Sequence, residues 1–376
     1  MKIEVYDRIG EVPQERWDAL LEGRSLTFSH AFWELLERSG MDNFRCRHVL
    51  LSHDSGQACA LATVYSTTTD IAIFAPPWLR GLLVSIRRIF PHFLKLRMLE
   101  CGTPVTLNSP PFVVAEGADT HEVIAALHQW LHATARTEGH WVIVVRDFEP
   151  DAAPLLAHFV ALGYHTAGGL PNAYLDIAWS TWEDYLASMQ SYYRSKLLKR
   201  LRTAEEARMR HELVEEFAGL ADTLFRQWLV VHESAVEFQR EVLTPGFYRE
   251  LAERMGKRSK VLLFYSGDQL IGHALLLHDG DLLRWLYFGR NQAANDGLYL
   301  YAGNAVIDTA IRLRVKRLEM GLTTYPIKQD LGARLAPIQL ALRSPSRFIH
   351  LFVGTVYRLL NRTPRMRNKR IFKALS

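Results

Sequence analysis

Three apolar runs with a period near two, Lys260–Ser266, Leu270–His278 and Leu282–Gly289, dominate the pattern of the chain. Period two is that of strands with one buried face. Gly267-Asp268 and Asp279-Gly280-Asp281 separate the runs, and Gly and Asp are what tight hairpin turns need. The pattern therefore predicts an antiparallel meander. A polar loop, Arg290–Asp296, leads to a helix opening at Gly297 and running to Arg314, and a strand, Lys316–Met320, ends at Gly321. The loop delivers the chain into a helix N-terminus, whose free N–H groups and positive dipole end can seat a phosphate or carboxylate.

The preceding chain reads as a strand at 2–9, a helix from Pro13 to Glu22 and a helix from Ser29 to Ser39 that Ser29 can cap. Strands Cys46–Ser52 and Ala58–Ser66 turn at Asp54-Ser55-Gly56. Residues 76–99 mix apolar and basic side chains, with Pro91 breaking any helix there. Helix 120–137, strand 141–145, helix 152–162 and short strands at 164–166 and 173–177 follow. Thr181 and Asp184 open a long helix with an apolar stripe from Leu186 to Ala204 and a cluster of Arg194, Lys196, Lys199, Arg200 and Arg202 beside it. A strand at 211–217 and helices at 218–234 and 245–255 complete the approach to the meander. Residues 48–65 superpose without gaps on 260–277, matching Val49, Leu50, Leu51 and Gln57 to Val261, Leu262, Leu263 and Gln269. Each copy is followed by a helix and a strand, which points to a duplicated unit with a boundary near 165–180.

The order strand, strand, strand, loop, helix, strand resembles the second half of the GNAT acyltransferase fold. The closing segment, Gly321-Leu322-Thr323-Thr324-Tyr325-Pro326-Ile327-Lys328-Gln329-Asp330-Leu331-Gly332-Ala333, is similar to the strand-end motif of the Fem-like branch of that superfamily. That branch holds tRNA-dependent peptidoglycan aminoacyltransferases and polysaccharide- or cellulose-locus acetyltransferases. The resemblance implies an α/β fold of tandem GNAT-like halves, each a mixed, mostly antiparallel sheet flanked by helices. The divisions expected are 1–170 for the first half, 171–342 for the acyltransferase half and 343–376 for a basic helix and tail.

The resemblance also implies roles for residues. Lys328 would hold a phosphate of donor or acceptor or stabilise a tetrahedral oxyanion; the plain alternative is a solvated lysine. Tyr325 flanks it. Arg290, Asn291, Asn295 and Gly297 stand where GNAT enzymes hold the pyrophosphate of coenzyme A, although the segment departs from the usual acetyl-CoA pattern, as Fem-like sequences do. Tyr287 and Tyr299 cluster around that loop, either as proton donors to a leaving thiolate or as core. Lys196, Lys199 and Arg200 read as a face for a phosphate-rich donor or as a solvated helix side. Acyl-CoA is the expected co-substrate, with no metal. The expected acceptor is an amine or hydroxyl of a small-molecule, envelope or polysaccharide precursor. Aminoacyl-tRNA is the alternative donor, and a non-catalytic recognition module the alternative role.

Composition narrows the setting. The chain has 376 residues, enough for about two domains at roughly 100–200 residues each. Cys46, Cys59 and Cys101 form no Cys-x-x-Cys pair, and the N-terminus has no apolar signal core; a cytoplasmic setting is expected. The net charge of +5 comes from one place: nine Lys or Arg and no acid follow Leu342, whereas 36 Lys and Arg face 40 Asp and Glu in the rest. Residues 348–360 read as a docking helix or an interfacial one. Residues 362–373 read as a basic segment for peripheral contact with an anionic membrane or polyanion. Phosphate-loop, dinucleotide, zincin and serine-hydrolase motifs are missing. His121, His128 and His132 share a helix spacing that reads as a face rather than a metal site.

Overall fold

The structure, a computed structural model, describes residues 1–21, 25–41, 44–70, 81, 85–90, 95–105, 109–235, 241–293, 297–360 and 369–373. The strands are β1 (Lys2–Tyr6), β2 (Arg45–Ser52), β3 (Ala58–Asp70), β4 (Lys95–Cys101), β5 (Phe112–Val114), β6 (Val142–Phe148), β7 (His165–Gly168), β8 (Asn172–Asp176), β9 (Met209–Val214), β10 (Ser259–Ser266), β11 (Gln269–Asp279), β12 (Leu282–Arg290), β13 (Arg317–Gly321), β14 (Arg334–Ala336) and β15 (Gln339–Arg343). The helices are α1 (Gln14–Asp18), α2 (His30–Arg38), α3 (Thr120–Thr137), α4 (Ala153–Ala161), α5 (Trp182–Ser188), α6 (Ser191–Glu206), α7 (Ala221–Ser234), α8 (Pro245–Met255), α9 (Leu298–Arg312), α10 (Tyr325–Asp330) and α11 (Arg347–Leu360).

The strands form two mixed, mostly antiparallel sheets, as the repeat and the resemblance led us to expect. The first runs β1-β2-β3-β4-β6-β15-β7 with β5 beside β3, and the second β14-β8-β13-β12-β11-β10-β9. In both, a three-stranded meander passes through a helix to a strand that joins it in parallel: β4 with β6 in the first, β12 with β13 in the second. Strand β15 lies between β6 and β7, so the chain returns to the first sheet after completing the second.

Strand alternation puts apolar side chains on both faces of the second sheet. Leu262, Phe264, Leu276, Leu283 and Leu318 meet α9 and the buried side of α6. Val261, Leu263, Leu275 and Leu277 face the first half, where Phe32, Trp33 and Leu50 complete the same core with Phe247, Tyr248 and Leu251. The halves are thus joined by continuous apolar packing. Arg254 adds an ion pair to Glu34 at 2.8 Å.

Several local readings change. The 76–99 stretch ends in a strand, β4, which supplies the third strand of the first meander. The helix expected from Thr181 is two helices, because Met189 is extended and pairs with Phe372 while the Gln190 N–H donates to the Ile371 carbonyl. The end of the chain is correspondingly not all free. Ile371 is 3% exposed, Phe372 packs on Trp179 and Tyr185, and Lys369 pairs with Asp330 at 2.5 Å, so 369–373 docks on the second half. The basic stretch at 361–368 lies outside the described residues.

Candidate functional site

Strands β12 and β13 pair over only three residues, Leu282 with Arg317, Leu283 with Leu318 and Arg284 with Glu319. Beyond that point β12 stays with β11 and β13 goes with β8. A bulge opposite Leu275–Leu276 places Trp285 and Tyr287 on different faces of β12. Two parallel strands that part in this way leave a wedge whose edges carry backbone groups not used in a ladder between them. After β13 the chain turns through Gly321, Thr323 and Thr324, all at positive φ (73°, 65° and 50°), into α10. That turn leads from the end of β13 to Tyr325 and Lys328.

Lys328 is 2% exposed. Its Nζ donates to the carbonyls of Gly321 (2.9 Å) and Leu322 (2.7 Å), holding the turn closed. Burial pushes its pKa down to about 7, against the pull of the Glu319 charge. A lysine near neutrality can gain or lose a proton during a reaction, which a solvated lysine does not do at pH 7. The Tyr325 hydroxyl donates to the Pro171 carbonyl at 2.8 Å. The Tyr287 hydroxyl donates to Glu241 at 2.7 Å, and its ring packs edge-on to Trp228 and Phe247. Tyr299 stacks on Trp285 at 5.2 Å with its hydroxyl bonded to Thr324; burial raises its pKa.

Of the loop residues, Gly297 is the left-handed N-cap of α9, at φ 81°. Asn291 is tied down: its Nδ2 donates to the Leu270 carbonyl and its Oδ1 accepts from Gln227. The Arg290 guanidinium lies 5.4 Å over the Phe288 ring. Asn295 and Asp296 lie outside the described residues. On α6, Lys196 reaches Asp330 at 2.6 Å, and Lys369 meets the same carboxylate. The α6 cations, Lys199 and Arg200 exposed among them, are thereby set beside α10 and next to the docked C-terminal residues.

A second set of residues, not singled out from the sequence, stands where the strands part. Glu319 accepts from Arg284 Nη1 and from Asn172 Nδ2 (2.8 Å). Arg284 also donates to Asp279 at 3.2 Å. Burial works against its charge, but Glu319 and Asp279 outweigh that and raise its pKa. Asn172 donates to the Tyr174 hydroxyl, which donates to Glu149. Across the seam in the first half, Tyr65 and Arg146 both donate to Glu100, and Arg146 lies 3.2 Å from Asp147. Burial pushes Glu100 up to about 8 and raises Asp147 and Glu149; the Glu319 charge adds to both of the latter. The sequence held a signal: Glu100, Arg146, Asp147, Arg284 and Glu319 are charges inside otherwise apolar strands. Apolar content alone hid it.

The raised Glu100 has a definite sign. The folded state binds a proton that the unfolded chain releases near pH 4.5, so this stability is fully present below that value and is lost as pH rises through about 8. Glu100→Gln should therefore flatten the decline of unfolding free energy between pH 5 and 8. At about 1.4 kcal/mol per pKa unit the two curves should converge or diverge by at least ~2 kcal/mol. Urea titrations across that range check it, and parallel curves would contradict it.

The histidine trio does not converge. His128 bonds the Tyr164 hydroxyl at 3.1 Å, and His121 faces His158. A cavity of about 300 Å³ lined by His128, His132, Arg136 and Arg343 contains none of the wedge residues. Among the described residues no group of three or more His, Cys, Asp or Glu is placed to hold a metal, and no helix is long and apolar enough to cross a membrane.

Two mixed sheets joined by a shared core, each with a parallel pair following a meander and a helix, define a class. The chain belongs to the FemAB-like family, whose model, described as peptidoglycan biosynthesis/recognition, matches residues 8–324. This bears out the Fem-like branch of the GNAT superfamily that the 321–333 segment implied. Among curated proteins it is 28% identical over 332 residues to "Putative 8-amino-7-oxononanoate synthase 2" of Mycobacterium tuberculosis, strains CDC 1551 / Oshkosh and ATCC 25618 / H37Rv. The match covers 85% of this chain and 42% of those proteins, so the chain spans about two fifths of the length of the curated relatives it matches. Among solved structures, FemX is similar with a TM-score of 0.55 at 12% identity, covering 90% of this chain and 97% of that one. L-PGS from Bacillus licheniformis is similar with a TM-score of 0.51 at 12% identity, covering 93% and 98%. These likenesses show the fold.

Proposed function

We propose that the protein is an acyltransferase that moves an acyl group, acetyl in the simplest case, from acyl-CoA to an amine or hydroxyl of a cell-envelope or polysaccharide precursor. The observation that carries this reading is the wedge between β12 and β13, with proton-exchanging groups buried where the strands part. The acceptor nitrogen or oxygen attacks the thioester carbonyl carbon, the C–S bond breaks, and the thiolate must gain the proton that the acceptor loses. Lys328, poised near neutrality, and the Tyr287–Glu241 pair are the groups assigned to those transfers. The start of α9 at Gly297 and the α6 cations Lys196, Lys199 and Arg200 are assigned to the donor phosphates. The raised seam carboxylates, Glu100, Asp147 and Glu149, are assigned to the acceptor side. The precursor would be met at the inner face of the membrane, by a protein otherwise at home in the cytoplasm.

One observation favours a second donor. Lys196 and Lys369 converge on Asp330, so the α6 cations and those of the docked 369–373 segment lie side by side, a wider basic patch than a single coenzyme needs and suited to aminoacyl-tRNA. The family's description names recognition beside biosynthesis, which is compatible with a non-catalytic recognition module as the alternative role.

Thiol release from acetyl-CoA in the presence of primary amines or amino sugars tests the reading. Lys199→Ala/Arg200→Ala should raise the KM for acyl-CoA by about tenfold, on the scale of two lost charge-assisted contacts, with kcat held. No thiol release with any thioester would overturn acyl-CoA as donor. Salt-sensitive binding of aminoacyl-tRNA, weakened by the same double variant, would then establish the alternative.

A further inference from the structure

Helix α11 carries apolar residues on both its inward and its outward side. Its inward face is already filled: Val353 is 9% exposed, and Ile349 and Tyr357 pack with it on Leu340, Leu342 and Val144 of the first sheet. Gly354 lies so close to β7 that a Cβ there would be 2.8 Å from the His165 ring, and the His165 and His350 rings are 4.5 Å apart. The helix is therefore seated, and its outer face is not a loosened core face. That outer face carries Phe348, Leu351, Phe352 and Val356, exposed by 73, 70, 51 and 42%. Their spacing at i, i+3, i+4 and i+8 makes one stripe. No charge interrupts the helix between Arg347 and Arg358.

In the sequence, every charge next to the stripe is positive. Arg347 and Arg358 border it in the sequence, and Arg362, Arg365, Arg367, Lys369, Arg370 and Lys373 follow, with no acid after Asp330. Only Lys369 among the last three is committed to an acid, through Asp330. A partner that covers this face must bury large apolar side chains and bring negative charge to their rim. A second copy of the chain would bring the same cations and repel them.

We propose that α11 lies in the interface of an anionic lipid bilayer, with Phe348, Leu351, Phe352 and Val356 at the acyl boundary and the flanking arginines on lipid phosphates. Apolar burial and attraction to an anionic surface then act together, as interfacial helices require. The docked Ile371 and Phe372 fix the far end of the basic segment to the second half. Removing the whole tail would thus damage the fold as well as the surface, and point variants are the sharper probe.

The test is co-sedimentation of the full chain with vesicles of phosphatidylcholine mixed with phosphatidylglycerol, and with phosphatidylcholine alone. The protein should bind the anionic vesicles and should bind neutral ones at least about tenfold more weakly, with the difference shrinking at high salt. The variant Phe348→Ser/Leu351→Ser/Phe352→Ser, altered only at exposed positions, should keep its thermal stability and lose at least about tenfold of its binding to anionic vesicles. Absence of binding to anionic vesicles, or equal binding by the triple variant, would overturn the proposal. So would a concentration-dependent dimer that the triple variant abolishes, since a second copy would then own the face. Vesicle binding needs neither donor nor acceptor, so its failure and a failure of the transferase reading are separate results.

Discussion

Replacing Arg284 by methionine is expected to cost about 3–5 kcal/mol of unfolding free energy, the scale of breaking a buried ion pair by removing one partner. Arg284 is 4% exposed and Glu319 3%, and the guanidinium also serves Asp279 at 3.2 Å and Ser25 at 3.0 Å. Taking it away leaves two buried carboxylates facing each other with no cation between them. Its place in the fold makes the effect more than a loss of stability. Arg284 and Glu319 are the last register pair before β12 and β13 part, so their bond fixes where the wedge begins. Arg284→Met/Glu319→Gln should recover part of the loss, because the uncompensated charge is gone. Urea denaturation of the three variants measures this. A single-variant loss below about 1 kcal/mol, or no coupling, would mean the pair does not bind the strands.

Lys328→Met should lower both turnover and stability. The side chain keeps its length, but the carbonyls of Gly321 and Leu322 lose their donor inside the protein, at about 1–3 kcal/mol for each group left unsatisfied. Turnover should fall at least about tenfold if the ammonium also serves the reaction. The pH dependence separates a buried lysine from an exposed one. Its folded pKa, about 7, lies below the unfolded value, so the unfolded chain binds the extra proton above pH 7. Its contribution is therefore complete above the ordinary lysine range and is lost as pH falls toward 7. The stability gap between wild type and variant should widen from pH 7 to 10. A constant gap would show that Lys328 titrates normally.

Much of the second half was legible because its strands alternate cleanly and its turns carry Gly and Asp. The strands at 260–266, 270–278 and 282–289 sit within a residue of β10, β11 and β12. Strand β4 was obscured because Lys95 and Arg97 alternate with Leu96 and Met98, and the cations masked an alternation that is real. The break at Met189–Gln190 has no local signal at all: it is made by Ile371 and Phe372, far along the chain. The short strands β14 and β15 are too brief for a period to show. At the site, the 321–333 segment drew attention to Lys328 by resemblance, yet its burial follows from the left-handed turn at Thr323 and Thr324, which non-glycine residues rarely adopt. The seam acids were visible only as misplaced charges in apolar strands. Their meaning depends on two strands far apart in sequence, such as β12 and β13, being neighbours.

The most direct test of the acyltransferase account is the thermal unfolding midpoint of the purified chain with acetyl-CoA, a long-chain acyl-CoA and free coenzyme A each added in excess. A ligand at about a hundred times its Kd adds roughly 2.7 kcal/mol to the folded state. The account expects a rise of several degrees with at least one thioester, smaller in Lys199→Ala/Arg200→Ala. No shift with any of the three would contradict coenzyme A thioesters as the donor.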